Sequence, residues 1–217
     1  EMAAAAGLPL VGADKNPSVT TTFGVGELFL HAASNGARRI VVGLGGSATN
    51  DAGCGAAVAC GVRFYNKAGE TFTPVGETLK DIESIDVKTL DRAFENCEVV
   101  TMCDIDNPMY GENGAAYIFG PQKGADKEMI QMLDSGLRHL AEVVERDLGI
   151  SIAEIPGAGA AGAMGAGMVA FFGSRLQMGI ETVLDTVRFE QVINDADVIF
   201  TGEGKIDAQS LRGKVVI

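Results

Sequence analysis

The 217-residue chain is 47% hydrophobic and 21% charged, enough apolar material for one core or two small ones and unlike the composition of a disordered chain. A net charge of −12 argues against a broad polyanionic partner such as DNA or RNA, yet leaves room for a small phosphate ligand held locally by backbone N–H groups. No apolar run approaches the ~20 residues of a membrane helix, and the N-terminus lacks a signal-peptide pattern. The cysteines (Cys54, Cys60, Cys97, Cys103) form no CxxC pair and are joined by only two histidines, so a cytoplasmic protein with reduced thiols and no structural zinc is expected.

Along the chain, Val25, Leu28, Phe29 and Ala32 recur at helical spacing and predict a helix over 25–35, closed by Gly36. The apolar run Ile40–Leu44 predicts a strand buried on both faces, followed directly by the loop Gly45–Asp51 and a small-residue helix to Cys60. Arg63–Asn66 reads as a short strand and Asn66–Gly69 as a turn, while Thr73–Lys88 reads as loop with short structure. Val99–Cys103 predicts another strand, broken into a loop by Pro108. A short helix is expected over Ala115–Phe119. The clearest helix covers 126–148, with Ile130, Leu133, Leu137, Leu140, Ala141 and Val144 on one stripe and Gly149 at its end. A second glycine cluster, Pro156–Gly167, leads into an apolar stretch, and close packing is its favoured use over approach to a nucleotide. Ala196–Phe200 predicts a last strand, running into Thr201–Ser210.

Strands alternating with helices indicate an α/β fold with a largely parallel sheet flanked by helices, read as one continuous unit over 1–217. The chain starts at a glutamate and stops within an apolar, strand-like run, Lys214–Ile217, which reads as an excised segment.

In such sheets ligands bind beyond the carboxyl ends of strands, and three strand-like runs here end in loops of glycine with acidic or hydroxyl residues. In the first loop, glycines let backbone N–H groups approach an anion, with Ser47, Thr49 and Asn50 as further hydrogen-bonding groups. The loop is not a Walker A sequence, and helix capping by Thr49 or Asn50 explains its composition equally well. In the second, Asp104 and Asp106 suit Mg²⁺ or a base, or else a solvated turn. In the third, Glu203 and Asp207 stand among glycines, as ligand-facing carboxylates or as a polar turn. Lys123, in a Pro-Gln-Lys-Gly loop, could hold phosphate as a point charge, although a lone lysine is more often a solvated surface group. His31 and His139 read as surface or boundary residues, and the eight methionines as core filling.

Five blocks resemble the bacterial-type glycerate kinase family: Gly43–Asp51, Cys103–Pro108, Phe119–Ala125, Pro156–Gly162 and Thr201–Ser210, with Gly213-Lys214 following in register. Departures are small. Ala52 and Cys54 stand where many members have Gly and Ala, Ala163-Met164 replace a common Gly-Leu, and Lys205 occupies a position that is often Arg. The resemblance implies a two-domain α/β enzyme with its active site between the domains. This chain would supply the central, inserted domain and short parts of the other.

It also implies ATP- and Mg²⁺-dependent phosphorylation of D-glycerate, in glyoxylate or sugar-acid catabolism. Asp207 is then the expected base, with Glu203 and Asp104 contacting metal or substrate and Asp104 and Asp106 as metal ligands. Gly45, Gly46, Ser47, Thr49, Asn50, Asp51 and Lys123 would meet phosphate or the glycerate carboxylate. Glycerate, the nucleotide and the remaining segments of the enzyme are the expected partners, with no nucleic acid and no membrane. Two other readings remain: a non-catalytic ligand-binding module, and a haloacid-dehalogenase-like phosphatase built on Asp104-x-Asp106, which Pro108 disfavours.

Overall fold

The computed structural model describes residues 1–202, and the chain divides into two compact units, 1–176 and 177–217. In the first, the short helices α1 (Ala3–Ala6) and α2 (Leu8–Val11) precede α3 (Phe23–Ser34), β1 (Arg39–Gly43) and α4 (Cys54–Ala59). Three short strands follow, β2 (Arg63–Tyr65), β3 (Thr71–Phe72) and β4 (Ser84–Asp86), then β5 (Glu98–Met102), α5 (Ala115–Phe119), α6 (Lys127–Leu148), α7 (Ala160–Phe172) and β6 (Arg175–Gln177).

The architecture is α/β, and the described residues form two three-stranded sheets, ordered β1-β5-β6 and β3-β2-β4. In the first, β1 and β5 are parallel, with Gly43 opposite Met102 at their carboxyl ends. In the second, β2 is antiparallel to both neighbours. The stretch Thr73–Lys88, which the sequence leaves as loop and short structure, contains a 3₁₀ turn at Gly76–Asp81 and the edge strand β4.

Helix α6 shows how pattern becomes packing. Asp126 caps its N-terminus by accepting from the Met129 N–H at 2.8 Å, and Gly149 ends it in the left-handed conformation. Leu133, Leu137, Leu140 and Val144 are fully buried on one stripe. Most of that stripe joins Phe64 of β2, Leu79 and Phe171 in the larger core cluster, where Phe64 and Phe171 meet edge to face at 5.4 Å. A second cluster joins Val25 and Phe29 of α3, Ile40 and Val42 of β1, and Met164 and Met168 of α7. Helix α7 therefore contributes to both cores.

Two expectations change in the first unit. Strand β1 is buried on one face only: Ile40 and Val42 point inward while Val41 is 36% exposed. The buried stripe of α3 runs through Val25, Phe29 and Ala33, leaving Leu28 exposed.

In the second unit, α8 (Gly179–Thr186) and α9 (Phe189–Ile193) precede Ala196–Phe200, which is not a strand. A strand needs a ladder partner and a covered face. Here Val198 and Ile199 are exposed and Phe200 is 95% exposed, so its apolar content is unburied among the described residues.

Candidate active site

The parallel pairing of β1 and β5 brings Gly45–Asp51 and Cys103–Pro108 to the same edge of the sheet. The glycines opening α7 hold these loops together. Ala161, Gly162 and Ala163 all have positive φ (54°, 68° and 65°), so the chain turns sharply before the regular helix. A side chain on Gly162 would collide with the Thr49 carbonyl oxygen, and the Gly162 carbonyl accepts from the Ala52 N–H at 3.1 Å. A Cβ on Gly157 would approach the Cys103 sulfur at 2.7 Å, and the Gly159 N–H donates to the Asn107 carbonyl at 3.0 Å. Close packing is thus what this glycine cluster provides.

The first loop has an exposed rim and a buried base. Gly45 and Gly46 are exposed, and Gly46 has a φ of +63°. Ser47, Thr49, Asn50 and Asp51 are buried, at 4%, 1%, 1% and 0% exposure. Backbone bonds from residues 2–8 tie down the flank, with the Leu8 N–H donating to the Gly46 carbonyl and Ala48 N–H to the Ala6 carbonyl.

Lys123 lies beneath the loop, 2% exposed, which overturns its reading as a solvated surface group. Its ammonium donates to Ser47 Oγ at 2.8 Å and to the Thr49 carbonyl at 2.7 Å. Burial pushes its pKa down to about 7, against an upward pull from the Asp51 carboxylate. The lysine is held there by the 3₁₀ turn Pro121–Lys123, which the left-handed Gly124 terminates.

Asp51 spends its oxygens inside the protein. It accepts from the Thr22 N–H at 2.7 Å, the Thr22 hydroxyl at 2.8 Å, and the N–H groups of Gly53 and Gly55 at 3.1 and 3.3 Å. Loss of water on burial raises its pKa, and these donors pull it back. Thr22, wholly buried at the N-terminal boundary of α3, is a residue that the sequence reading missed. Its only local signal is a hydroxyl residue before a helix, and nothing there announces a partner 29 residues away.

Among the described residues, three buried side-chain polar atoms lack a partner: Thr49 Oγ1, Asn50 Oδ1 and Asn50 Nδ2. No helix cap accounts for Thr49 or Asn50, since the next helix opens at Gly53 without a side-chain cap. Asp104 and Asp106 are both exposed on the loop after β5. No group of three or more metal-ligating side chains occurs among the described residues, but Mg²⁺ commonly takes only one or two protein carboxylates beside waters and substrate phosphates, a set these two fit. Glu203 and Asp207 lie outside the described residues. Surface cavities of about 510 and 410 Å³, the first beside Lys67 and Lys80 and the second around Phe72, touch none of these residues. His31 is exposed, and the His139 ring meets the Ile82 carbonyl at 2.7 Å, away from the loops.

A glycine loop over a buried lysine stands at the carboxyl edge of a parallel strand pair, the place where α/β sheets bind their ligands. Residues 1–217 match the glycerate kinase family over their whole length, and the chain belongs to that family. It is 50% identical over 218 residues to a glycerate kinase of Bacillus cereus and 47% identical to the glycerate 2-kinase of Escherichia coli K12, covering all of this chain and 57% of each relative. A crystal structure from Salmonella typhimurium LT2, assigned as glycerate kinase 2, superposes with a TM-score of 0.92 at 44% identity, over 99% of this chain and 57% of that one. The chain therefore spans little more than half the length of these relatives. Family membership sets aside the haloacid-dehalogenase reading. No helix among the described residues is long and apolar enough to cross a membrane.

Proposed function

We propose that this chain forms the acceptor-side part of a cytoplasmic glycerate kinase, which transfers the terminal phosphoryl group of ATP to D-glycerate. The observation that carries the reading is Lys123, a buried ammonium fastened beneath a glycine loop in a chain of the glycerate kinase family. A cation in a dry site acts strongly on a small anion, because the low local dielectric weakens its charge less than water does. The exposed rim at Gly45 and Gly46 offers close backbone approach.

Phosphoryl transfer requires positioning, charge neutralisation and a group that orients or deprotonates the acceptor hydroxyl. Lys123 holds Ser47 and Thr49 in place and supplies positive charge. Asp104 and Asp106 would hold Mg²⁺, which neutralises phosphate charge when bound. Asp207 takes the base role and Glu203 a metal or substrate contact, by their places in the Thr201–Ser210 motif. The segments that the full-length relatives carry beyond this chain would complete the site. The acceptor is the 2-hydroxyl, as the name of the Escherichia coli relative suggests.

The test is a coupled ADP-release assay on the full-length protein with MgATP and D-glycerate, the product's phosphorylated position being read by NMR. Glycerate-dependent ADP production yielding the 2-phosphate is expected. A folded protein that turns over no glycerate would overturn the reading and favour a binding module. Asp207→Asn should collapse kcat with folding intact, and unchanged turnover would remove Asp207 from the mechanism.

A further inference from the structure

Every polar side chain at the base of the first loop is satisfied except on two consecutive residues. Ser47 accepts from Lys123, and Asp51 is surrounded by donors from Thr22, Gly53 and Gly55. Among the described residues, the Thr49 hydroxyl and both ends of the Asn50 amide have no partner, although each residue is 1% exposed. Buried polar groups left unpaired are costly, and a fold that satisfies their immediate neighbours has kept them for something else.

We infer that the Asn50 amide, with the Thr49 hydroxyl beside it, is the subsite that reads the hydroxyl-bearing end of a small hydroxy acid and not a phosphate group. The assignment rests on the kinase reading above for the identity of the acid. Its argument comes from donor and acceptor chemistry. The amide offers two donors on Nδ2 and an acceptor on Oδ1, and the threonine hydroxyl can play either part. An ionised phosphate presents acceptors almost exclusively: it would satisfy Nδ2 and set negative charge against Oδ1. A hydroxy acid answers both ends, its hydroxyl donating to Oδ1 while a carboxylate or second hydroxyl oxygen accepts from Nδ2. Each of the three atoms exposes less than 1 Å². Lys123, fixed through the Thr49 carbonyl, places a cation next to this subsite for the acid's carboxylate.

The experiment uses the full-length protein with Asn50→Leu, which removes both amide groups at similar size, and Thr49→Val, which removes only the hydroxyl. Ligand-free Tm, KM for glycerate, KM for MgATP and calorimetric binding of glycerate and of inorganic phosphate are measured for each. Relieving an orphaned polar group should leave Tm unchanged or raise it, a result that a purely structural hydrogen-bonding role would not give. KM for glycerate should rise at least ~10-fold and glycerate binding weaken to match, with KM for MgATP within about two-fold, because a site built to hydrogen-bond a hydroxyl loses much of its affinity with those groups.

A fall in Tm with glycerate KM unchanged would make the two residues structural and overturn the inference. A rise confined to KM for MgATP, or selective loss of phosphate binding, would overturn it in favour of a phosphate site. Should Asn50→Leu fail to fold, Thr49→Val alone decides. If the wild type shows no glycerate-dependent ADP release, the kinase reading fails by itself. Calorimetry then judges the subsite: glycerate binding lost in the variants upholds it, and no glycerate binding overturns it.

Discussion

A lysine side chain that is 2% exposed, and that among the described residues is held by a hydroxyl and a carbonyl without a direct ion pair, is costly to keep charged. The consequence is measurable. An unfolded lysine titrates near 10.5 and Lys123 in the fold near 7, so between those values the unfolded state carries the extra proton. This group's contribution to stability therefore rises with pH across that window, by up to about 1.4 kcal/mol per pH unit, and is flat below it, where both states are protonated. Urea unfolding of the full-length protein at about pH 6.5, 8 and 9.5 should show the slope, and Lys123→Met should abolish it. Equal slopes in the two proteins would place the lysine in water. Its burial was not legible in the sequence, because the groups that enclose it, Ser47 and Thr49, lie 76 and 74 residues away. The loop residues themselves were legible, since glycine and hydroxyl residues after an apolar run carry their chemistry locally.

At the scale of elements, the opening of α7 decides how accurately the two loops are set. Gly162 has a φ of +68° and no room for a Cβ beside the Thr49 carbonyl, so Gly162→Ala combines backbone strain with overpacking. A loss of about 2–4 kcal/mol in unfolding free energy is expected, with a raised KM for glycerate because Thr49 and Asn50 are displaced. A variant as stable as wild type would show that the loop does not depend on this contact. Helices α3 and α6 were readable from apolar spacing and from the closing Gly36 and Gly149, because helical order is local. The antiparallel pairing of β2 with β3 and β4 was not, since strands of two or three residues carry too little alternation to reveal a partner. Ala196–Phe200 shows the converse error, an apolar run with strand composition whose ladder is absent among the described residues.

For the whole molecule, the sequence motifs carried the family and the fold class, while the placement of each polar group came from tertiary contacts. The chain covers 57% of the Bacillus cereus and Escherichia coli relatives, so the proposed activity is tested on the full-length protein. The central claim is that the glycine loop and Lys123 form the acceptor site, and steady-state kinetics of full-length wild type and Lys123→Met with D-glycerate and MgATP test it most directly. The account predicts glycerate-dependent ADP release in the wild type and a loss of at least ~100-fold in kcat/KM for glycerate in the variant, the scale of removing one preorganised electrostatic contact. A folded Lys123→Met protein that retains the wild-type kcat/KM for glycerate would contradict it.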